Sequence, residues 1–243
     1  AEGTSVIYNA AREPEIVDLQ ALLRSMGARV NGAGGSIITV EGGAVLHGCT
    51  HRVIGDRIVC ATYLCAAAAA GGEVRLTGVD YRAVSTVALS LAESGCEVRS
   101  EADAVSLRST GALRSVRPVR TAPYPGFPTD AQPVLMAALL RSEGCTVFVE
   151  NIFENRYRHV DELSRMGAEI RVAGRVAVVN GVRTLHGAAV KCTDLRGGAA
   201  LVIAGLSAEG TTRVTELTHI DRGYDAIERD LAALGAQIRR ETT

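Results

Sequence analysis

A chain of 243 residues can bury a substantial core in one or two domains. Hydrophobic residues make up 47% of it, aromatic ones only 4%, and tryptophan is absent, so that core is close-packed Ala, Val, Leu and Ile. A formal net charge of −1 gives no global attraction to nucleic acid or anionic membranes, and no apolar run reaches bilayer-spanning length without glycine or charged flanks, so neither nucleic acid nor membrane is an expected partner.

In chain order, Glu2-Gly-Thr-Ser-Val-Ile7 reads as a turn and a β-branched strand. Ile16, Leu19, Leu22, Leu23 and Met26 follow at helical spacing, with Pro14 between Glu13 and Glu15 at the helix start. Gly27 suits the left-handed position that stops a helix, and Ala28-Arg-Val30 begins a strand. Asp56 opens a nearly all-apolar helix to Ala70. A strand from Gly71, a helix ending at Gly95 and a strand at Val98 come next. Three prolines in Arg120–Gln132 make a stiff extended loop, after which Thr129-Asp130 opens a second apolar helix to Leu140. Val147-Phe-Val149 is a strand, Val160, Leu163 and Met166 lie on a helix, and Glu169–Val172 returns through Ala173-Gly174 to Val176–Val179 as a hairpin. Thr193-Asp194 opens a third apolar helix to Leu206, and Thr212-Arg-Val214 is a strand.

The helix-ending glycines Gly27, Gly95, Gly167 and Gly235 are spaced 68, 72 and 68 residues apart. A period this long is one supersecondary unit copied, and in strand-first order the unit is βαβαββ. Three buried apolar helices, one per unit, predict an α/β fold of repeated units that is incomplete at its N-terminus. Residues 1–50 read as the terminal unit of a truncated first domain and 51–243 as a second domain of three units. The chain reads as the C-terminal portion of a longer protein.

Arginines recur at helix starts: Arg12, Arg82, Arg156 and Arg222 at one helix type, Arg57 and Arg196 at the other. A cation there opposes the helix dipole, and an anion held between guanidinium and free N–H groups resolves the conflict. The ordinary alternative is an ion pair with a sequence neighbour, Asp221 for Arg222 or Glu154 for Arg156. Recurrence at matched positions favours the anion for Arg156, Arg196 and Arg222. Asp130 is either a helix cap or a carboxylate base on a rigid loop. His159 and His219 read as unexceptional polar residues. No metal-ligating spacing, phosphate loop or secretory leader is visible. The six cysteines, at 49, 60, 65, 96, 145 and 192, read as reduced small hydrophobes of a cytoplasmic protein.

Several stretches then carry a resemblance: Asn9-Ala-Ala-Arg-Glu-Pro-Glu-Ile-Val-Asp-Leu19, Arg120-Thr-Ala-Pro-Tyr-Pro-Gly-Phe-Pro-Thr-Asp130, Ile152-Phe-Glu-Asn-Arg156, Thr193-Asp-Leu-Arg196 and His219-Ile-Asp-Arg-Gly-Tyr224. In order, and across essentially the whole chain, they resemble the UDP-N-acetylglucosamine 1-carboxyvinyltransferases of peptidoglycan synthesis. The resemblance implies an inside-out α/β barrel, and transfer of the enolpyruvyl group of phosphoenolpyruvate to the 3-hydroxyl of UDP-N-acetylglucosamine with release of phosphate. It implies no cofactor. It makes Asp130 and Arg222 catalytic, Asp130 as the base at the sugar hydroxyl. Arg196 joins Arg222 on phosphoenolpyruvate, Arg156, Ile152 and Glu154 lie in the segment contacting the nucleotide sugar, and Glu13 is an acid of the interdomain active site. The family's N-terminal Lys-Asn pair and cysteine loop have no counterpart here, so the missing N-terminal portion is an expected partner and the chain alone is expected to be inactive. Gly197-Gly198 replaces the usual Ala-Ser and is expected to loosen that helix start. A substrate-binding or regulatory homologue without catalysis and the shikimate-pathway enolpyruvyltransferase are the alternatives.

Overall fold

The computed structural model describes residues 2–241. The chain divides into two compact bodies: one from the N-terminus to Gly55 with Pro123–Gly126, the other Asp56–Ala122 with the chain from Phe127 onward. The sequence placed a boundary at 50/51, five residues earlier, because no composition shift marks the coil that leads to Asp56.

In the N-terminal body, strands β1 (Thr4–Tyr8), β2 (Arg29–Asn31) and β3 (Ile37–Glu41) form an antiparallel sheet in the order β1-β3-β2, with helix α1 (Pro14–Ser25) between the first two strands. No residue of α1 is buried, and Val17, Leu19, Ile7 and Tyr8 are exposed. With one helix and three strands, this body covers Ile16, Leu22, Leu23 and Met26 only in part and leaves Leu19 exposed.

The second body runs α2 (Arg57–Ala70), β4 (Gly72–Thr77), α3 (Tyr81–Glu93), β5 (Glu97–Glu101), β6 (Ala104–Ser109), β7 (Val119–Arg120), α4 (Gln132–Ala138), β8 (Cys145–Val149), α5 (Val160–Arg165), β9 (Glu169–Ala173), β10 (Val176–Asn180), β11 (Ala189–Lys191), α6 (Leu195–Leu206), β12 (Arg213–Thr215), α7 (Thr218–Asp221) and α8 (Ile227–Ala233). Helices α2, α4 and α6 pack on one another at the centre. Every residue of α4 is buried, as are most of α2 and α6, which is what helices apolar on all sides require. The sheets β4-β6-β5 and β7-β8-β10-β9 and the parallel pair β11-β12 lie outside them. Only the middle unit, β7 to β10, shows the whole βαβαββ order. Among the described residues of the second body no strand precedes α2 and none follows α8, so the flanking units are shorter than the repeat alone predicts.

The four repeat glycines end their helices identically. Gly27, Gly95, Gly167 and Gly235 have φ between 92° and 108°. Each donates its N–H three residues back, to Arg24, Ala92, Ser164 and Ala232, while the next residue reaches five back, to Leu23, Leu91, Leu163 and Leu231. This paired closure is the Schellman motif, with leucine at the deeper carbonyl each time. Arg114 then bonds back to Ser94, and His186 to Met166, returning the chain to the helix end it left.

Candidate functional site

Asp130 is the centre of the site. The turn that carries it, a 3-10 turn over Thr129–Ala131, begins after Pro128 and has no side-chain cap. The helix-cap reading of Asp130 therefore fails, and its carboxylate reaches sideways. Oδ1 accepts from Arg156 Nη2 at 2.9 Å, and Oδ2 accepts from Arg196 Nη2 and Nε at 3.2 and 3.3 Å. The guanidinium side chains are 7% and 12% exposed against 41% for the carboxylate, so two half-neutralised cations lie beneath one accessible acid. Buried charge is costly unless it is paired or fully hydrogen-bonded, and here it is paired.

Each partner is held from behind. Arg156 starts a 3-10 turn, donates Nε to Thr129 Oγ1 at 3.1 Å and lies 4.5 Å from the centre of the Phe153 ring. Arg196 lies in the first turn of α6 and donates Nη1 to the Tyr224 hydroxyl at 3.1 Å. That hydroxyl is 2.8 Å from Thr62 Oγ1, which donates to the Ile58 carbonyl, so Tyr224 accepts from the arginine and donates to the threonine. Tyr224 and Thr62 are buried, and through them α2 fixes the loop after α7.

Arg222 is on that loop, exposed, with no partner among the described residues, beside an open cavity of about 530 Å3 that Tyr224 and Asp225 also line. Its neighbour Asp221 pairs instead with Arg240, at 2.6 Å, and Arg240 also holds Glu228. Neither sequence-neighbour ion pair forms: Arg156 turns to Asp130 and leaves Glu154 exposed at the surface. Ile152 and Phe153 are exposed beside it. Glu13, in the N-terminal body, stands at the N-cap position of α1 without capping it, and its Oε2 is buried with no hydrogen-bond partner. Thus Asp130, Arg156 and Arg196 come together directly and Arg222 is tied to them through Tyr224. The larger cavity, about 640 Å3 between Ser94, Arg114, Arg141 and Arg183, shares no residue with this cluster.

Three of the helix starts that carry arginines are capped by aspartate. Asp56, Asp80 and Asp194 each cap their own helices, accepting from Ile58 and Val59, from Arg82, and from Arg196 and Gly197. One or two of the N–H groups at each of those starts are therefore already taken by a carboxylate. Arg82 is a surface ion pair with Asp80. Gly197-Gly198 does not loosen α6 either. A Cβ on Gly197 would sit 2.9 Å from the His159 Cβ, and one on Gly198 2.7 Å from Ile220 Cγ1 and 2.9 Å from Cys192 Sγ. The two glycines let α6 approach its neighbours closely.

His159 is fully buried against that approach. Its Nδ1 donates to the Arg156 carbonyl at 3.2 Å, leaving Nε2 a bare acceptor with no partner. Burial pushes its pKa down to about 4 against the pull of Asp194, so the imidazole is neutral. All six cysteines are free: four are buried, with burial raising the Cys192 thiol to about 11, and Cys49 and Cys145 are exposed. Among the described residues no group of three His, Cys, Asp or Glu side chains could hold a metal, and no helix is long and apolar enough to cross a membrane.

Sequence reasoning missed Thr62, Thr129, Glu150, Tyr224 and Arg240, the residues behind the arginines. The visible signal was Glu150, an acid directly after the apolar run Val147-Phe-Val149.

The model of the family described as EPSP synthase (3-phosphoshikimate 1-carboxyvinyltransferase) matches residues 1–231. UDP-N-acetylglucosamine 1-carboxyvinyltransferase of Gluconacetobacter diazotrophicus is 52% identical over 240 residues, 99% of this chain and 57% of the relative. UDP-N-acetylglucosamine 1-carboxyvinyltransferase 1 of Symbiobacterium thermophilum is also 52% identical, with 54% of its length covered. The chain spans about half the length of the curated relatives it matches. The enolpyruvyl transferase NikO from Streptomyces tendae superposes with a TM-score of 0.83 at 30% identity, over 98% of this chain and 57% of that one. EPSP synthase from Acinetobacter baumannii, at 20% identity and a TM-score of 0.76 over 100% of this chain and 59% of that one, shares the fold. A helix-centred α/β repeat with two arginines on one carboxylate, matched from residue 1 to 231 by that family, belongs to it: the chain is a member of the EPSP synthase (3-phosphoshikimate 1-carboxyvinyltransferase) family, and its curated relatives near 50% identity are named UDP-N-acetylglucosamine 1-carboxyvinyltransferases.

Proposed function

We propose that the chain forms part of an enzyme transferring the enolpyruvyl group of phosphoenolpyruvate to the 3-hydroxyl of UDP-N-acetylglucosamine, with release of phosphate, in peptidoglycan synthesis. The observation that carries this is the Asp130 carboxylate shared by Arg156 and Arg196, with Arg222 unpaired on the adjoining loop. In this reading Asp130 is an internal counter-ion. An anionic substrate entering beside Arg196 and Arg222 takes over the guanidiniums, and the freed carboxylate accepts the sugar hydroxyl proton. The hydroxyl oxygen bonds to C2 of phosphoenolpyruvate while C3 takes up a proton. Loss of a C3 proton and cleavage of the C2–O bond to phosphorus then release inorganic phosphate. The charge of this tetrahedral stage, one carboxylate and one phosphate, is what fixed guanidiniums stabilise best.

Arg156, with Ile152 and Glu154, takes the nucleotide sugar. For Glu13 the assignment as a substrate-contacting acid rests on the motif match alone. Free cysteines support a cytoplasmic location. The chain covers 57% of the length of the Gluconacetobacter diazotrophicus relative, and the reading takes the remaining partners to lie in the part not covered, so the 243-residue chain alone is expected to be inactive. The test is phosphate release from phosphoenolpyruvate and UDP-N-acetylglucosamine, by this chain alone and with the N-terminal segment of a relative added. Activity that appears on addition and disappears with Asp130→Ala supports the reading. Release that persists in Asp130→Ala refutes the role of the carboxylate.

A further inference from the structure

Glu150 directly follows β8 and is 1% exposed, yet the four donors that reach it are all uncharged. Oε1 accepts from Thr121 Oγ1 and from the backbone N–H groups of Ile152 and Phe153, each at 2.8 Å, and Oε2 accepts from Thr129 Oγ1 at 3.0 Å. A buried carboxylate without a cation is expensive, and satisfying it with neutral donors in several chain segments orders those segments. The segments are the functional ones. Having donated to Glu150, the Thr129 hydroxyl has its lone pairs left for Arg156 Nε, whose Nη2 binds Asp130. Thr121 in turn accepts from the Asn151 N–H, and the Asn151 side chain donates to the Thr121 carbonyl. One acid thus spans the 121 strand end, the Asp130 turn and the 151–156 loop.

We propose that Glu150 is a positioning residue, holding the 151–156 loop through the Ile152 and Phe153 amides and the Arg156 guanidinium through Thr129, in the geometry that receives the nucleotide sugar. This deepens the enolpyruvyltransferase reading and rests on it for the ligand. Glu150→Gln replaces an acceptor-only group with one that presents an N–H2 to a donor. The Thr129 hydroxyl must then turn, and the amide N–H competes with Arg156 Nε for its oxygen.

The experiment is amide hydrogen exchange on the ligand-free 243-residue chain, then titration with UDP-N-acetylglucosamine. Glu150→Gln is expected to speed exchange at Ile152 and Phe153 on the order of tenfold beyond any change in β8 and β10. Val179→Ala, a core truncation in β10, is expected to speed the strands only. Thr129→Val is expected to leave those two amides protected but to weaken UDP-N-acetylglucosamine on the order of tenfold, with Thr129→Ser restoring the affinity. Unchanged protection of Ile152 and Phe153 in Glu150→Gln overturns the proposal, as does a Thr129→Val chain that binds like wild type. Where Glu150→Gln does not fold, Thr121→Val removes one of its donors, and unchanged protection there has the same force. A wild-type chain that fails to bind the nucleotide sugar removes the ligand reading, and the exchange arm still decides whether Glu150 orders the loop.

Discussion

Lowering the pH from 7 to 5 should destabilise the second body through His159 alone by about 2 kcal/mol. Its imidazole is fully buried, Nδ1 on the Arg156 carbonyl and Nε2 without an acceptor, and its pKa is down to about 4. The charged groups facing it are Asp194, which favours protonation, and Arg156, which opposes it. In the unfolded chain the ring returns to about 6.5. Between those values the unfolded state binds the extra proton, so stability rises with pH across the window and is lost as pH falls through it. Integrating from about 6.5 to about 4 gives a loss near 0.2 kcal/mol at pH 7, about 2 at pH 5 and about 3 at pH 4. Asp80, Glu93, Glu101, Asp221 and Glu241 also lose stabilising charge in acid, because hydrogen bonds hold their carboxyls below the ordinary range, from the Arg117 backbone N–H first for Glu93 and from guanidiniums first for the others. Comparing wild type with His159→Phe cancels these shared contributions. Urea unfolding at pH 7, 6 and 5, followed by far-ultraviolet circular dichroism, should show the two stability curves converging as the pH falls. Parallel curves over that range would refute the buried, neutral imidazole.

Asp130→Ala should cost about 2 kcal/mol by leaving two largely buried guanidiniums unpaired, and inorganic phosphate should raise the melting temperature of this variant more than that of wild type. Gly198→Ser restores the usual family residue but places its Cβ on Ile220 and Cys192, so thermal melts should show a loss of about 1–3 kcal/mol. Arg240→Ala should speed amide exchange across Asp221–Ala226, the loop carrying Arg222, with little change in melting temperature, since its ion pairs are partly exposed. A thiol reagent on the native chain should label Cys49 and Cys145 rapidly, while Cys60 and Cys192, their thiols raised to about 12 and about 11 by burial, stay unmodified until unfolding.

What the sequence made legible was periodic. The three apolar helices at the centre and the glycine-closed helices of each unit follow from local patterns, so their positions could be read directly. Asp130, Arg156 and Arg196 were legible as candidates because each sits in a distinctive stretch at a helix start. Their mutual arrangement was not, because Arg156 and Arg196 meet Asp130 across 26 and 66 residues of chain. At the starts that carry Arg57, Arg82 and Arg196 the reading as free anion sites missed the capping aspartates, which already accept from N–H groups there, and sequence alone cannot say which of two roles an aspartate takes. Glu150, Thr62 and Tyr224 escaped notice because a buried polar residue looks like a surface one until its donors are known. In α1 the helical period was right, while the burial it usually signals was not.

The four identical helix endings turn this chain into its own replicate experiment. At Gly95 and Gly235 an added methyl would meet nothing within 4 Å, so an alanine there reports only the backbone's aversion to a left-handed residue. At Gly167 the methyl would rest 3.5 Å from His186, and at Gly27 it would press to 3.2 Å on His47. One substitution, made at four places that share hydrogen bonds and φ, therefore separates conformational strain from steric crowding.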